Sequence, residues 1–262
     1  MKRARQPGIV VLAASAALGA MTSTPLVHAR PYEEIRTRGE ISVCANPNAL
    51  PYAANRPETP GFQIEIARAI AQRLLVRLHI DWIVPRMRAA MVDCDMLMDT
   101  IANPDVQGPA IKLSLPYQTG GVALAFAPGR PTVASYRELK AGTRVGVMMN
   151  SLASLIVSKT PARMVPFGFE DDMCEAVGKG DVDAAAISPA SIGYYNHSNA
   201  HRKLALVHAE DSEPELKWVV AVGLRRADTP LVEAVNAAVS ALIADGTIAG
   251  IYAKYGVDYR RP

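Results

Sequence analysis

Ile41-Ser-Val-Cys-Ala-Asn-Pro-Asn-Ala-Leu-Pro-Tyr52 opens on a β-branched run and breaks at Asn46-Pro47. Ile41 to Val43 reads as a buried strand. Proline has no N–H for a ladder and holds its predecessor extended, so the strand ends there. Beyond Gly61, apolar residues at 62, 66, 69, 70 and 74 have helical spacing, with charges on the opposite face. A buried strand, a Pro-rich loop and then a helix is how open α/β sheets present a ligand, in the crevice off the carboxyl ends of the strands.

Outward from that stretch the chain alternates. Pro31 to Arg38 predicts a short helix stopped by Gly39, Leu78 to Val84 a strand, Pro85 to Val92 one short helix or turn, and Met96 to Met98 a third strand. This βαβαβ order implies a parallel sheet with helical crossovers. Val122 to Phe126 is a continuous apolar run that reads as a strand crossing between two lobes. A second α/β unit starts afresh: a strand at Arg144 to Met148, a helix through Leu152 to Ser158 capped by Asn150-Ser151, a helix over Asp171 to Gly178, and a strand over Asp181 to Ile187. Ser188 to Ser191 reads as a loop at that strand's end, and Lys217 to Arg225 as the return crossing. Thr229 and Pro230 then cap and open a helix running to Ala244.

The expectation is a two-lobed α/β protein with a central interlobe cleft and two hinge crossings. Residues 30–122 and 222–262 would form lobe 1, and residues 123–221 lobe 2. The facing strand-end loops give the candidate ligand-binding residues: Asn46, Pro47, Pro51 and Tyr52, with Phe62, Tyr117 and Gln118, from lobe 1. Asn150, Ser151, Ser188, Pro189 and Tyr194 come from lobe 2.

Residues 1–29 read as a removed signal peptide, with Lys2, Arg3 and Arg5 ahead of the apolar run Ile9 to Met21 and a small-residue cleavage site at Val27-His28-Ala29. That places the protein in the periplasm, with no other run long enough to span a membrane. Loss of the three cations takes 28 basic residues to 25, against 25 acidic ones. A near-neutral chain without a basic cluster argues against nucleic acid. In an oxidising compartment the neighbouring strands bearing Cys44 and Cys94 allow a disulfide, the alternative being two buried thiols. Cys174 reads as a buried helix residue.

Catalysis and cofactors find little support. There is no nucleophile–base order, phosphate loop or zinc signature. Asp93, Asp95 and Asp99 cluster, but Asp95 reads as a turn or hinge residue, and the chain is read as not an enzyme. His197 and His201, four apart, lie in a polar stretch without framing acids and read as solvated surface rather than metal ligands. The methionines at 87, 91, 96, 98, 148 and 149 read as core filling rather than a copper site.

Several motifs together carry a resemblance. The strand with a Pro/Tyr loop, Gly61-Phe62 opening a helix, Cys94-Asp95 at a strand start, and Ser114-Leu-Pro-Tyr117 are similar to family 3 periplasmic solute-binding proteins. Within them, Cys44-Ala-Asn-Pro-Asn-Ala-Leu-Pro-Tyr52, Ser188-Pro-Ala-Ser-Ile-Gly-Tyr-Tyr195 and Tyr255-Gly-Val257 resemble the protein J component associated with PQQ-dependent methanol dehydrogenases. That resemblance implies an accessory that binds the dehydrogenase or its cytochrome c, with no cofactor of its own. The alternative is a transporter-linked protein for a small solute that is not an amino acid. The family's amino-acid binders hold the ligand carboxylate with an Arg, matched here by Gln107, and its ammonium with an Asp, matched by Ser188. Loss of both removes charge-assisted recognition of a zwitterion. The segment from Arg86 to Asp93 is shorter than the subgroup's, which leaves Arg86 and Arg88 without an implied role.

Overall fold

The computed structural model describes residues 31–83, 93–103, 105 and 110–262. The N-terminal segment, the helix or turn expected over 85–92, and Gln107 lie outside them. Among the described residues no single helix is long and apolar enough to cross a membrane.

Two five-stranded sheets carry the fold. The chain enters through helix α1 (Tyr32–Arg38), which Gly39 ends in a left-handed conformation, and passes into β1 (Glu40–Ala45). A short hairpin, β2 (Asn48–Ala49) with β3 (Ala53–Ala54), forms a lip beyond the strand end. Helix α2 (Phe62–Arg73), β4 (Arg77–Trp82), β5 (Met96–Ile101) and the long β6 (Ile111–Gly121) follow. The second sheet takes β7 (Ala123–Phe126), β8 (Arg144–Met148), helix α3 (Leu152–Ser158), β9 (Arg163–Phe167), helix α4 (Glu170–Lys179) and β10 (Ala184–Ile187). Helix α5 (Pro189–Ser198) and β11 (Ala205–Val207) complete it. The chain then returns to the first sheet through β12 (Lys217–Arg225) and ends on α6 (Thr229–Ala244) and α7 (Thr247–Lys254).

Strand order is β4-β1-β5-β12-β6 in the first sheet and β11-β7-β10-β8-β9 in the second. In the first, β4, β1 and β5 run parallel while β12 runs antiparallel to β5 and β6. The apolar face of α2, with Ile66 and Ile70, packs with α6 and α7 in one core on that sheet. The second sheet is covered on both faces. Met173, Val177 and Ile192 lie on one side, and Tyr136, Ala153 and Val157 on the other. Strands buried on both faces read as unbroken apolar runs, as Ala184–Ile187 does.

Several elements differ from the sequence expectation. Val122 to Phe126 is not itself a crossing, because β7 pairs wholly within the second sheet. Likewise β12 pairs with β6 from Lys217 onward, so the change of sheet falls at Leu216–Lys217, ahead of the expected boundary at 222. The two connections lie side by side, with Val122 N–H donating to the Leu216 carbonyl at 2.9 Å. Long β6 is hidden in the sequence by Pro116, which sits where the β6–β12 register slips. A bulge tolerates the missing N–H. Pro166 in β9 is tolerated instead because β9 is an edge strand, with a ladder on one side only. The cap of α6 is Asp228, which accepts from Leu231 N–H at 2.9 Å and leaves Thr229 inside the helix.

Cys44 and Cys94 form a disulfide, with Cα atoms 5.6 Å apart. Cys94 lies just ahead of β5, outside the ladder, next to Asp95, whose N–H donates to the Ser42 carbonyl of β1 at 3.1 Å. The bridge closes a 50-residue separation, which by loop entropy stabilises by about 4 kcal/mol. The double variant Cys44→Ser/Cys94→Ser is expected to lose about 2–4 kcal/mol in urea unfolding. A loss below about 0.5 kcal/mol would show that the reduced chain pays no such loop entropy.

Candidate ligand cleft

The lip is fixed from below. Gly61 adopts φ +94°, and a Cβ there would stand 2.3 Å from the Tyr52 carbonyl oxygen. The first N–H groups of α2 donate into the lip: Phe62 to the Pro51 carbonyl at 2.9 Å and Gln63 to that of Tyr52 at 3.0 Å. Helix N-termini leave such donors unpaired, so the lip is held by the helix it feeds. The Tyr52 ring packs on Phe62 with centroids 5.0 Å apart. Beneath it, Tyr255 Oη accepts from Gly61 N–H and donates to Glu65.

Opposite the lip stand the start of α4 and the first turns of α5. Ser188 caps α5, its Oγ accepting from Ser191 N–H at 3.3 Å. The Glu170 carboxylate gathers three donors: Ser188 N–H at 3.0 Å, Ser188 Oγ at 2.6 Å and Ser191 Oγ at 2.6 Å. From across the cleft Tyr52 Oη donates to Ser188 Oγ at 2.7 Å. One hydrogen-bonded chain thus runs from the lip on the first sheet to a carboxylate on the second.

Between these walls lies a cavity of about 560 Å³. Asn46, Pro51 and Tyr52 of the expected residues line it from the lip, and Tyr194 from α5. Glu170, Asp171, Phe169 and Met148 complete the far side, and Arg56 is the one basic residue among the described lining. Burial, and after it the charge of Glu170, pushes the Tyr52 phenol well above its ordinary range. The same two causes raise the Cys174 thiol to about 12. Cys174 therefore stays an inert thiol in the wall, as its helical position suggests.

Other expected residues sit elsewhere. Phe62 and Tyr117 are fully buried core residues, and Tyr117 spends its hydroxyl on the Met98 carbonyl. Gln118 accepts from Tyr252. Ser151 caps α3, accepting from Ser154 N–H at 3.1 Å, and Asn150 is exposed beside it with φ +58°. Pro47 is not among the lining residues and its carbonyl accepts from Asn55 N–H at 2.9 Å, and Pro189 opens α5 instead of standing in a loop. Buried Asp95 accepts from Ser42 N–H at 2.8 Å and from Arg38 at 2.9 Å, a structural role. His197 and His201 are exposed, and no group of three potential metal ligands occurs among the described residues.

Glu170 was not singled out in the sequence. Its place as the first residue of a helix opening Glu170-Asp-Asp172 hid it, since acids there are ordinary partners of a helix N-terminus. Ser188 is neutral as expected, yet Glu170 restores a carboxylate at that spot.

Residues 41–258 match the model of bacterial extracellular solute-binding proteins, family 3. The chain belongs to that family. The histidine-binding periplasmic protein of Salmonella typhimurium is 24% identical over 226 residues, covering 82% of this chain and 87% of that protein. An ancestral cationic amino acid solute-binding protein superposes with a TM-score of 0.71 at 21% identity, covering 86% of this chain and 99% of its own. The L-cystine solute receptor of Neisseria gonorrhoeae, in its unliganded open conformation, gives 0.70 at 17% identity over 86% and 95%. These neighbours establish the fold as the two-lobed type II periplasmic binding fold. Members of the family are typically periplasmic or extracellular binding proteins.

Proposed function

We propose that this chain is the periplasmic capture component of a transport system and takes a small solute other than a free amino acid into the cleft between its lobes, without turning it over. The first sheet, β12 included, acts with its helices as one lobe, and the second sheet with its helices as the other. The observation that carries this is the 560 Å³ cavity, walled by the lip of one sheet and the helix starts of the other. Cavities of about 300–1,000 Å³ suit small ligands. Family membership and a histidine-binding relative support capture of a small solute, though not its chemical class. Gln107, matched to the family's carboxylate-binding Arg, argues against an amino acid.

A thermal-shift panel of small solutes on the exported protein tests it. A true ligand at about a hundred times its dissociation constant adds about 2.7 kcal/mol of stability. Free amino acids are expected to give none. A tight, saturable shift with an amino acid would contradict the reading.

A second reading, an accessory of a PQQ-dependent methanol or alcohol dehydrogenase that binds the enzyme or its cytochrome c, draws on the resemblance to the J component. It also draws on the exposed apolar residues Met149, Leu152, Leu155, Met164 and Phe169 around α3 and β9, since such exposure is one mark of a partner surface. A pull-down with the purified dehydrogenase separates the two: a complex and altered turnover favour the accessory role.

A further inference from the structure

We propose that the solute of this cleft is an organic cation without a carboxylate, its positive centre held between Glu170 and the rings of Tyr52 and Tyr194; this rests on the solute-binding reading above. Glu170 lines the cavity, and among the described residues its carboxylate accepts only from neutral donors, two serine hydroxyls and one backbone N–H. Among the described residues no Lys or Arg forms an ion pair with it, although a carboxylate offers about four acceptor positions. Its three bonds fix it on the cavity wall before any ligand arrives. A charge held that way needs little reorganisation to receive a cation.

The aromatic lining points the same way. Tyr52 and Tyr194 both line the cavity, and each packs against a second ring: Phe62 at 5.0 Å between centroids and Tyr255 at 6.4 Å. Fixed ring faces attract ammonium and guanidinium groups.

An anionic group has no comparable seat. The natural anion site here is the N-terminus of the ten-residue helix α5, with its Ser188 and Ser191 hydroxyls. Glu170 already fills it, so a ligand carboxylate would meet like charge from Glu170 and Asp171. The one described basic lining residue, Arg56, is exposed on the lip.

Calorimetric titration of the mature protein with two matched pairs tests the inference: agmatine against L-arginine, and choline against its neutral isostere 3,3-dimethylbutan-1-ol. At least one cation is expected to bind one-to-one, with its counterpart about tenfold or more weaker. Glu170→Gln is expected to weaken that cation by about tenfold to a hundredfold, the loss of a charge-assisted contact. The wild-type pairs decide the matter even if the variant folds poorly. Equal binding within a pair, or no binding by either cation, overturns the inference. If another solute then shifts the melting temperature, the capture reading stands without it. If none in the wider panel does, that reading falls as well.

Discussion

Gly61→Ala is expected to destabilise the protein by about 3–5 kcal/mol and to disconnect the lip from the opposite lobe. Two costs add. The φ of +94° with ψ 150° is a backbone region that side chains avoid, worth about 1–3 kcal/mol of strain. The new methyl would also stand 2.3 Å from the Tyr52 carbonyl oxygen and 2.6 Å from the Ala53 Cα, both backbone atoms. Something must shift, and the movable part is the lip, whose carbonyls are bonded to Phe62 and Gln63 N–H groups. Displacing Tyr52 removes its 2.7 Å bond to Ser188. Urea unfolding should show the stability loss, and solute affinity should fall with it. A loss below about 1 kcal/mol with unchanged affinity would mean that the close approach does not hold the lip.

Arg260→Ala is the second large expectation, at about 2–3 kcal/mol. The C-terminal segment, without regular secondary structure, straps the two connections between sheets. Its backbone is bonded to β6, with Thr119 N–H donating to the Arg260 carbonyl at 2.8 Å, and Tyr259 Oη donates to the Tyr117 carbonyl at 2.8 Å. The Arg260 guanidinium reaches the other way, to Glu210 at 3.2 Å and to both oxygens of Asp211 at 2.9 and 3.0 Å. Glu210 is 1% exposed, so removing the guanidinium leaves a buried carboxylate whose remaining cationic or ring partner among the described residues is His208. Breaking a buried pair costs about 3–5 kcal/mol, reduced here because Arg260 is partly exposed. Glu210→Gln in the Arg260→Ala background should recover part of the loss.

The pH dependence follows from Asp211. Lys217 first, and then Arg260, holds its carboxyl below the ordinary range. A depressed folded-state value stabilises above the unfolded value near 4 and fades as pH falls through the folded one. The gap between wild type and Arg260→Ala should therefore narrow below about pH 4. A gap that widens in acid would contradict the assignment.

Much of this was legible in the sequence because local signals and burial agreed. The Ile41–Val43 run and the Gly61-Phe62 helix start appear close to where their patterns place them, while the strand expected over Asp181–Ile187 begins only at Ala184. Long-range pairing was less visible. Pro116 disguises β6, and only the partner strand β12 shows that the proline sits at a bulge. Asp228 displaces Thr229 as the cap because its carboxylate also accepts from Tyr32 N–H, nearly the whole chain away.

The cleft divides the same way. Asn46, Pro51 and Tyr52 could be found from a proline loop at a strand end, since strand-end loops are where such sheets bind. Phe62 and Tyr117 share the same motifs but turn inward, a choice made by packing rather than by spacing. Glu170 lies far from Ser188 in sequence and joins it only because α4 and α5 start side by side.

Equilibrium dialysis of the purified protein against a low-molecular-weight metabolite extract, read by mass spectrometry, tests the central claim most directly. The account predicts at least one small solute enriched in proportion to protein, and its loss from a variant such as Tyr52→Ala that strips the lip of its ring. An enrichment unchanged in that variant, or none at all with a dehydrogenase complex formed instead, would contradict it.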